Sequence, residues 1–500
     1  MTDTDVLVVG AGPAGLGLAC GLMEHGVQVR VVDKASGPAT TSRANFLHAR
    51  GSEVLDRLGA LGDLPQRSVR ALRVTTYLGG EPVMNIRLGD TGTRTAAPPM
   101  LISQAAVEAA LRDRLVELGG QIEWGTPLVD LRQDDAGVRA TLGGGEEARC
   151  RWLAGCDGAA STTRRLVGIG FLGVQLTERF LLADVHLDWD LDRSGTTAWI
   201  HPAGLIGAMP MPDESGRLWR IIAYDPGQRS EKPNEEQIYG RLEDILPDRT
   251  GRAVHLADAV WLSMFSVHRR LADTYRCSRV LLTGDAAHTH SPFGGQGMLT
   301  GLGDAENLAF KLALVASGHA ESALLDTYER ERRPLATEVL RGTTAITKVN
   351  VAQGPVGRFI RDRLMVPVVN LAPIQRRATY RASQLWVNYR GGPLARRSLP
   401  LRGPRAGDRV PDVSCARLDG GSTRLYAELR GRWALMLPDD GQVELGGTAR
   451  NRLGNRLVIL RHDARDAFLV RPDGHLAWRG RRSDALDRWL NGALANGTVR

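Results

Sequence analysis

Residues 5–33 read DVLVVGAGPAGLGLACGLMEHGVQVRVVD, and this stretch decides the fold. It opens on a short apolar run that is typical of a buried parallel strand. Three glycines follow at once, a helix is predicted over residues 14–25, and a second strand is predicted over residues 28–32. These elements make a βαβ unit of about 30 residues, which indicates an α/β fold built on a parallel sheet.

The glycine spacing in this unit suits a bound dinucleotide. Gly10 makes a tight turn, Gly12 lets the backbone approach a pyrophosphate, and Gly15 allows close packing of the helix on the strand. The helix N-terminus offers free N–H groups and partial positive charge to the phosphates. Asp33 closes the second strand, where a carboxylate can accept hydrogen bonds from the adenosine ribose. The predicted cofactor contacts of this unit are Gly10, Gly12, Pro13, Ala14, Gly15, Asp33 and Lys34.

The bulk composition limits the class of protein. A chain of 500 residues predicts two or three domains, and 43% hydrophobic with 24% charged residues is ordinary for a globular protein. The net charge of +8 comes from dispersed arginines without a long basic run, so we expect no nucleic-acid partner. No apolar run reaches the roughly 20 residues that span a bilayer, and the acidic N-terminus does not resemble a signal peptide.

The cysteines indicate a reducing compartment and argue against a metal site. All five are scattered, with no CxxC pair and no metal-ligand spacing. A set of this kind argues for a reducing compartment, so we expect a cytoplasmic protein without a metal site.

Two later stretches carry a family resemblance. Residues 151–164, RWLAGCDGAASTTR, resemble the middle motif of the class A flavoprotein aromatic hydroxylases. Residues 280–288, VLLTGDAAH, and 292–301, PFGGQGMLTG, resemble their second FAD motif. The resemblance is strong over about residues 5–345 and looser beyond. It is closest to the branch that hydroxylates aromatic polyketides, whose members carry an additional thioredoxin-like C-terminal domain.

The resemblance implies further residues that contact non-covalent FAD. Arg43 and Arg112 match pyrophosphate ligands, Gln104 matches a contact to the flavin side, and Asp285 matches the acid that binds a ribityl hydroxyl. The loop that begins at Gly295 matches backbone that faces the flavin pyrimidine. The implied FAD contacts are Arg43, Gln104, Arg112, Asp157, Gly284, Asp285, Pro292, Gly295, Gly297 and Met298.

The motif order predicts a discontinuous architecture. A Rossmann-like FAD-binding domain should combine residues 1–170 with 271–390, including a long helix within 320–350 whose Arg330, Arg332 and Arg333 face solvent or an interface. Alternating residues between these segments predict a substrate-binding sheet domain over 171–270. A proline-rich linker over 391–404 leads to a thioredoxin-like α/β domain over 405–500, which lacks CxxC and should have no redox chemistry.

The function implied by this resemblance is a monooxygenase. NAD(P)H, binding transiently because no second dinucleotide fingerprint is present, would reduce FAD. O₂ would then give a flavin C4a-hydroperoxide that hydroxylates a multi-ring, polyketide-type aromatic. Baeyer–Villiger insertion into a polyketide quinone or ketone is the alternative, and a non-catalytic flavin-binding protein is the second. The halogenase signature Trp-x-Trp-x-Ile-Pro is not matched by Trp199-Ile-His-Pro202.

The remaining expectations concern acid–base groups and binding partners. The candidates are His48, His290 and Pro292, with His201 and His288 also considered, although His288 and His290 are interpreted first as structural hydrogen-bonding groups beside the cofactor. The expected partner is a small aromatic substrate, with neither nucleic acid nor membrane, and a homodimer is the oligomer considered.

Overall fold

The computed structural model describes residues 4–41, 44–69, 73–78, 80–87, 95, 97–225, 233–290, 295–350, 363, 366–395, 403–438 and 443–496. The predicted contacts Arg43 and Pro292 lie outside these described residues, as do residues 396–402 of the predicted linker. The strands up to residue 290 are β1 (Thr4–Val9), β2 (Val29–Val32), β3 (Phe46–Leu47), β4 (Arg73–Leu78), β5 (Glu81–Arg87), β6 (Met100–Leu101), β7 (Ile122–Glu123), β8 (Leu128–Gln133), β9 (Val138–Leu142), β10 (Glu147–Gly155), β11 (Phe171–Leu187), β12 (Gly195–Ile200), β13 (Ile206–Pro210), β14 (Leu218–Asp225), β15 (Leu256–Ala272), β16 (Arg276–Cys277), β17 (Val280–Leu282) and β18 (His288–Thr289).

The helices of the same region alternate with these strands. Pro at the first helical position starts α1 directly after Gly12, which is the preferred place for a helix proline. None of the described helices combines the length and apolar composition needed to cross a membrane. The helices are α1 (Pro13–Glu24), α2 (Ala49–Arg57), α3 (Leu64–Arg67), α4 (Gln104–Glu117), α5 (Thr162–Leu166), α6 (Glu235–Thr250), α7 (Gln296–Ala316) and α8 (Asp326–Asn350), followed by Val366–Val369 and Ala372–Ala382.

The first sheet is the predicted Rossmann-like sheet. Its order is β16-β17-β10-β1-β2-β7, with β9 and β8 continuing antiparallel from β10. β1 pairs in parallel with both β2 and β10, and β10 pairs in parallel with β17. Helix α1 packs against α7, because Gly17 and Gly21 bring their backbone close to Leu302 and Ala309. The sheet and α7 therefore enclose one large apolar core.

The second sheet contains the strands of the segment 171–270, where alternation predicted a sheet domain. Its order is β18-β15-β11-β14-β13-β12-β4-β5, and β11 and β15 are each 17 residues long. The edge strands come from elsewhere in the chain: β4 and β5 lie within residues 1–170, and β18 follows β17 of the first sheet. The sheet therefore extends beyond the segment 171–270 on both sides, and backbone pairing connects it to the FAD-binding segments.

The long helix predicted within residues 320–350 is present as α8, but one part of its description was wrong. Arg332 is buried, at 3% exposure, whereas Arg330 faces solvent as expected. Its guanidinium donates to Asp304 of α7 through Nε at 2.7 Å. The ion pair with Asp304 thus stabilises the charged side chain of Arg332 in the interior.

The C-terminal α/β unit has the predicted thioredoxin-like arrangement. Its elements are β19 (Ser414–Arg417), β20 (Ser422–Arg424), β21 (Trp433–Leu437), β22 (Leu457–Arg461), β23 (Ala467–Val470), β24 (Leu476–Gly480) and the helices Leu425–Leu429, Val443–Leu453 and Ser483–Asn496. The strand order is β20-β19-β22-β21-β23-β24, with β21 and β22 parallel and β23 and β24 forming a hairpin. The unit packs on α7 through Phe310, whose ring lies 5.6 Å from that of Trp433.

Candidate active site

The three predicted motifs meet at one edge of the parallel sheet. β1, β10 and β17 are neighbours that run in the same direction, so the loops after Val9, Gly155 and Leu282 leave from the same edge. Ligands of open α/β sheets bind outside the carboxyl ends of the strands. The register therefore brings together segments that are separated by more than a hundred residues in the chain.

The glycine loop after β1 has the geometry that its spacing predicts. Gly10 has φ +108°, and a Cβ on it would lie 2.4 Å from the carbonyl oxygen of Cys156. A Cβ on Gly15 would lie 1.9 Å from the carbonyl oxygen of Gly10. Gly12 differs, because a Cβ there would meet no atom within 4 Å among the described residues. Gly10 and Gly15 are therefore required by packing, and Gly12 leaves open space at the N-terminus of α1.

Asp33 is held against this loop. Its Oδ2 accepts a hydrogen bond from the Ala11 N–H at 2.6 Å, and its Oδ1 accepts one from the Ala35 N–H at 2.8 Å. Each carboxylate oxygen can accept a further hydrogen bond. The carboxylate is thus oriented at the predicted ribose position, while the neighbouring Lys34 is exposed.

Helix α4 presents a polar face to the same region. The side chains of Gln104, Glu108 and Arg112 follow one another at intervals of one helical turn, and Gln104 Nε2 donates to Glu108 Oε1 at 2.8 Å. Burial raises the pKa of Glu108, against the opposing influence of Gln104 and Arg112. Arg112 Nη1 is buried and has no hydrogen-bond partner among the residues that the structure describes. A buried guanidinium nitrogen that lacks an acceptor is the group expected where a phosphate binds.

The middle motif has a clear structural role. Asp157 Oδ2 accepts from the backbone N–H of Thr163 at 2.9 Å, and the Ser161 hydroxyl donates to Oδ1, so the carboxylate caps α5. Arg164 on this helix is buried and donates to the carbonyl oxygen of Ala286 at 2.8 Å. The middle motif therefore braces the second FAD motif, and a direct contact of Asp157 with the cofactor stays a prediction.

The second FAD motif is anchored by a residue to which the sequence assigned no role, Asp304. Its Oδ2 accepts from the backbone N–H of Gly284 at 3.3 Å and lies 2.5 Å from His288 Nε2. Burial alone would raise the pKa of Asp304, but His288 and Arg332 outweigh this effect and hold it below its usual value. Asp285, next to Gly284, is exposed although the residues around it are buried. The predicted ribityl ligand therefore points out of a rigid loop.

The two motif histidines lie close together in this loop, with His288 buried and His290 half-buried. Their rings lie 4.7 Å apart, and both ring nitrogens of His290 are buried without a hydrogen-bond partner in the described part of the chain. Burial, followed by the nearby His288, lowers the pKa of His290 well below its usual value. His290 is therefore neutral at physiological pH. The contact between His288 and Asp304 supports the structural interpretation of His288. His201 accepts from the Ala203 N–H in a loop of the second sheet.

The N-terminus of α7 forms the remaining side of the site. Gly295 has φ +61°, and a Cβ there would lie 3.1 Å from Cβ of Phe46. A Cβ on Gly297 would meet no atom of the described residues within 4 Å, so these residues leave space against the first turn of the helix. Met298 is buried in the core. Gln296, at the start of α7, is 3.1 Å from His48 through the Nε2 atoms of both side chains.

Side-chain alternation separates the two faces of the second sheet. One face packs on α6, where Leu181 and Ile221 join Leu242 in a buried cluster. The opposite face carries a separate apolar cluster around Phe180 and Phe265.

The face opposite α6 is the one that meets the FAD-binding segments. Asn45, which directly precedes β3, places Nδ2 at 3.5 Å from the sulfur atoms of Met209 and Met211. Met209 lies opposite Arg220 in the sheet, and Arg220 forms a buried two-point ion pair with Asp184 at 2.7 and 2.6 Å. This face therefore borders the space between the second sheet and the N-terminus of α7.

These residues fit a bound FAD. Gly12 and Gly297 leave open space at two helix N-termini, Arg112 supplies an unpartnered buried donor, and Asp285 supplies an exposed acceptor. Helix N-termini favour anionic groups such as a pyrophosphate. Among the described residues no cluster of His, Cys, Asp and Glu could hold a metal ion. Fold and site together define a dinucleotide-binding α/β flavoprotein.

Comparisons with known proteins identify the family. A model of the FAD binding domain matches residues 3–343, and a model of the aromatic-ring hydroxylase C-terminal domain matches residues 403–496. The chain is 35% identical to 6-methylpretetramide 4-monooxygenase of Streptomyces rimosus, over 96% of this chain and 91% of that protein.

Solved structures agree with this result. Anhydrotetracycline hydroxylase OxyS from Streptomyces rimosus superimposes with a TM-score of 0.82 at 29% identity, covering 98% of this chain and 99% of that one. Aklavinone-11 hydroxylase, solved with FAD and aklavinone, superimposes with a TM-score of 0.79 at 27% identity, covering 99% and 100%. The chain belongs to the FAD-binding aromatic-ring hydroxylases and is an FAD-dependent monooxygenase, as its motifs predicted.

Several residues that shape the site escaped the sequence analysis. Asp304 is a charged residue within α7, which is buried over most of its length, and that placement was a usable signal, whereas Arg332 lies on a helix with both buried and exposed residues. Arg164 was quoted in the middle motif without a role. Gln384, which contacts Gln296, lies outside every motif and had no local signal at all.

Proposed function

We propose that this enzyme uses NAD(P)H and O₂ to hydroxylate a multi-ring, polyketide-type aromatic substrate. The observation that carries the proposal is the face of the second sheet with Met209 and Arg220, which Asn45 of the FAD-binding segments contacts through Met209. The names of the related enzymes, which act on 6-methylpretetramide and anhydrotetracycline, support this substrate class.

Bound FAD would supply the redox chemistry, carrying activated oxygen as a flavin C4a-hydroperoxide. The residues proposed to hold it are Gly10, Gly12, Pro13, Ala14, Gly15, Asp33, Lys34, Arg43, Gln104, Arg112, Asp157, Gly284, Asp285, Pro292, Gly295, Gly297 and Met298. The N-terminus of α7 would stabilise negative charge on the reduced flavin, and the second sheet would cover the substrate and exclude water.

The organisation of the molecule is part of this proposal. We place the FAD-binding domain at residues 1–170 and 271–390, the substrate domain at 171–270 with the edge strands noted above, and the C-terminal domain at 405–500. The five cysteines are free, which supports a cytoplasmic location. A homodimer remains a prediction.

The decisive experiment determines the source of the oxygen atom in the product. Purified protein should copurify with FAD, and a multi-ring phenol should stimulate NAD(P)H oxidation. Under ¹⁸O₂ the product should gain one labelled oxygen, measured by mass spectrometry. Two results would contradict the monooxygenase proposal: an oxygen atom that comes from water, or hydrogen peroxide as the sole product with every aromatic tried. Either result would indicate an oxidase or a reductase. An intact ring system indicates hydroxylation, whereas an inserted ester oxygen indicates the Baeyer–Villiger alternative.

A further inference from the structure

A groove lies between helix Ala372–Ala382 and residues 404–409 at the start of the C-terminal domain. Its volume of about 540 Å³ is within the range typical of small-molecule sites. Leu385 and Val387 supply apolar surface, and Tyr380 and Trp386 supply aromatic rings. The charged residues that line it are Arg377, Arg381, Arg390, Arg409 and Asp408. A surface of this composition suits a ligand that carries both negative charge and a ring.

Two of the four arginines are already neutralised by carboxylates. Arg390 forms a two-point ion pair with Asp408, in which Nη2 donates to Oδ2 at 2.9 Å. Arg409 donates through Nε to Glu53 of α2 at 2.9 Å. These pairs shape the groove and cancel most of the charge of their members.

The other two arginines keep their positive charge available. Arg377 is exposed, and no described residue offers it a carboxylate or another acceptor. Arg381 approaches Glu338 at 3.8 Å, with 62% and 47% of the two side chains exposed. An exposed ion pair of that length contributes little free energy. The helix therefore brings net positive charge to the groove.

The cationic and aromatic groups share one face of helix Ala372–Ala382. Arg377, Tyr380 and Arg381 are three and four positions apart, so their side chains are neighbours on the helix surface. Two like charges one turn apart destabilise a helix, and an anion bound between them relieves the repulsion. Tyr380 is 38% exposed, so its ring is accessible beside them.

Trp386 adds a second, oriented ring. Its Nε1 donates to the backbone oxygen of Arg381 at 2.8 Å, while the side chain stays half-buried. Exposed aromatic faces stack on the bases of nucleotides, and guanidinium groups pair with their phosphates. A phosphate-bearing nucleotide fits this combination better than a neutral aromatic does.

Both walls of the groove are connected to elements that border the proposed flavin site. Leu385 directly follows Gln384, whose Nε2 donates to the Thr300 hydroxyl in the first turns of α7 at 3.0 Å. The opposite wall is connected to α2 through the pair of Arg409 with Glu53. A nucleotide held in the groove thus lies next to the helices that would surround the flavin.

We propose that this groove binds the adenosine-phosphate half of NAD(P)H, with Arg377 and Arg381 on its phosphates and Tyr380 or Trp386 on its adenine ring. The identity of the nucleotide rests on the proposed function, in which FAD occupies the glycine fingerprint after β1 and NAD(P)H needs another place. Exposed arginines favour weak, rapidly reversible binding. This agrees with a reductant that binds transiently, as the absence of a second fingerprint predicts.

The test measures binding of two fragments that cannot transfer hydride, ADP-ribose and 2′-phospho-ADP-ribose. Each is titrated into the FAD-loaded enzyme and followed by calorimetry, with FAD absorbance confirming that the flavin stays bound. The Kd of at least one fragment should rise about 10-fold in Arg377→Ala/Arg381→Ala, because two charge-assisted contacts at exposed positions are lost. A wild type that binds neither fragment, or a double variant with wild-type affinity for both, would overturn the proposal.

Matched variants make this result specific. Arg376→Ala removes an exposed arginine from the same helix that does not belong to the described lining of the groove, so the Kd should not change. Tyr380→Ala should weaken binding if the adenine stacks on this ring, whereas Tyr380→Phe should not. If Tyr380→Ala binds normally, Trp386→Ala should show the loss. Normal affinity in both alanine variants would contradict the stacking part of the proposal.

Kinetics separate failure of the groove from failure of the proposed function. In Arg377→Ala/Arg381→Ala the KM for NAD(P)H should rise more than kcat falls, at unchanged FAD content and unchanged KM for the aromatic substrate. If the wild type never oxidises NAD(P)H, the proposed function is wrong, yet the fragment titrations still decide whether the groove binds a nucleotide. If the wild type oxidises NAD(P)H and the double variant does so with the same KM, the function stands and the groove is not the site.

Discussion

At the scale of single residues, the site is marked by one buried donor and one exposed acid. Arg112 has a buried Nη1 without an acceptor among the described residues, and Asp285 is an exposed acid in a buried loop. Leaving such a donor unpaired in a folded protein is costly, so a ligand that pairs it gains binding free energy. These two side chains point to the cofactor more directly than the glycines, whose packing would also suit a ligand-free turn.

Replacing Arg112 tests the phosphate site. Arg112→Ala should weaken FAD binding about 10- to 100-fold, because a charge-assisted hydrogen bond contributes about 1.5–3 kcal/mol. Fluorescence titration of the apoprotein with FAD measures the Kd. Arg132→Ala removes an arginine whose side chain is 87% exposed and should leave the Kd unchanged. Equal affinity in both variants would show that Arg112 does not contact the cofactor.

Cys415 tests the absence of thiol chemistry in the C-terminal domain. Burial raises the pKa of its thiol to about 11, so the reactive thiolate is scarce at neutral pH. Cys415→Ser should therefore leave substrate-stimulated NAD(P)H oxidation unchanged. A large loss of turnover at normal FAD content would show that this thiol takes part in the reaction.

At the scale of elements, helix α7 packs in the core and also borders the proposed flavin site. Residues of α7 pack against α1 and the core over most of its length, whereas its first turn borders open space. Asp304, two turns further on, holds the preceding loop through Gly284 and His288. The helix therefore supports the site as a rigid element, which positions backbone donors more accurately than a free loop would.

Gly297→Val tests the open space at this helix. The added side chain should occupy the space proposed for the flavin, so FAD-dependent activity should fall strongly while the Tm of the apoprotein changes little. Gly447→Val is the matched control, because Gly447 is an exposed helical glycine whose Cβ would also meet nothing within 4 Å. If both variants keep wild-type activity, the flavin does not approach Gly297.

At the scale of the whole molecule, the C-terminal domain is joined to the FAD-binding segments by buried charges. Arg471, at the end of β23, donates two hydrogen bonds to Glu331 of α8, each 2.8 Å long. Asp473 in the hairpin turn accepts from Asn307 of α7 at 3.1 Å, and Lys311 donates to Glu331 at 2.8 Å. The hairpin turn is thus inserted between α7 and α8, so the two parts should unfold together.

This junction predicts a dependence of stability on pH. Burial alone would raise the pKa of Glu331, but Arg471 and Lys311 lower it from 4.5 to about 2. Because the folded pKa lies below the unfolded one, the stabilisation is present above pH 4.5 and is lost as the pH falls toward 2. Denaturant unfolding monitored by circular dichroism should show this loss in the wild type.

Glu331→Gln should remove that dependence. Loss of the carboxylate leaves Arg471 and Lys311 without their shared counter-ion, so the free energy of unfolding at neutral pH should drop by about 3–5 kcal/mol. Its slope between pH 4.5 and 2 should also become shallower than that of the wild type. Glu147→Gln alters an exposed strand residue and should change neither quantity. A Glu331→Gln protein with wild-type stability would show that the junction contributes nothing to folding.

The sequence by itself determined the local features of this protein. The glycine spacing at residues 10–15, the strand–helix–strand period and the two FAD motifs predicted the cofactor, the α/β class and the elements of the first βαβ unit. These signals are readable because a turn, a helix face or a strand depends on residues close together in the chain. The family resemblance then supplied contacts such as Arg112, which no local pattern could indicate.

The tertiary structure decided which distant residues meet. Only the register shows β4 and β5 joining the second sheet, and only side-chain alternation in that sheet identifies the face with Met209 and Arg220. The burial of Arg332 and the contact of Gln384 with Gln296 depend on partners 28 and 88 positions away. A buried polar group is stable only beside its partner, and pairing across such distances is specified by packing rather than by local sequence.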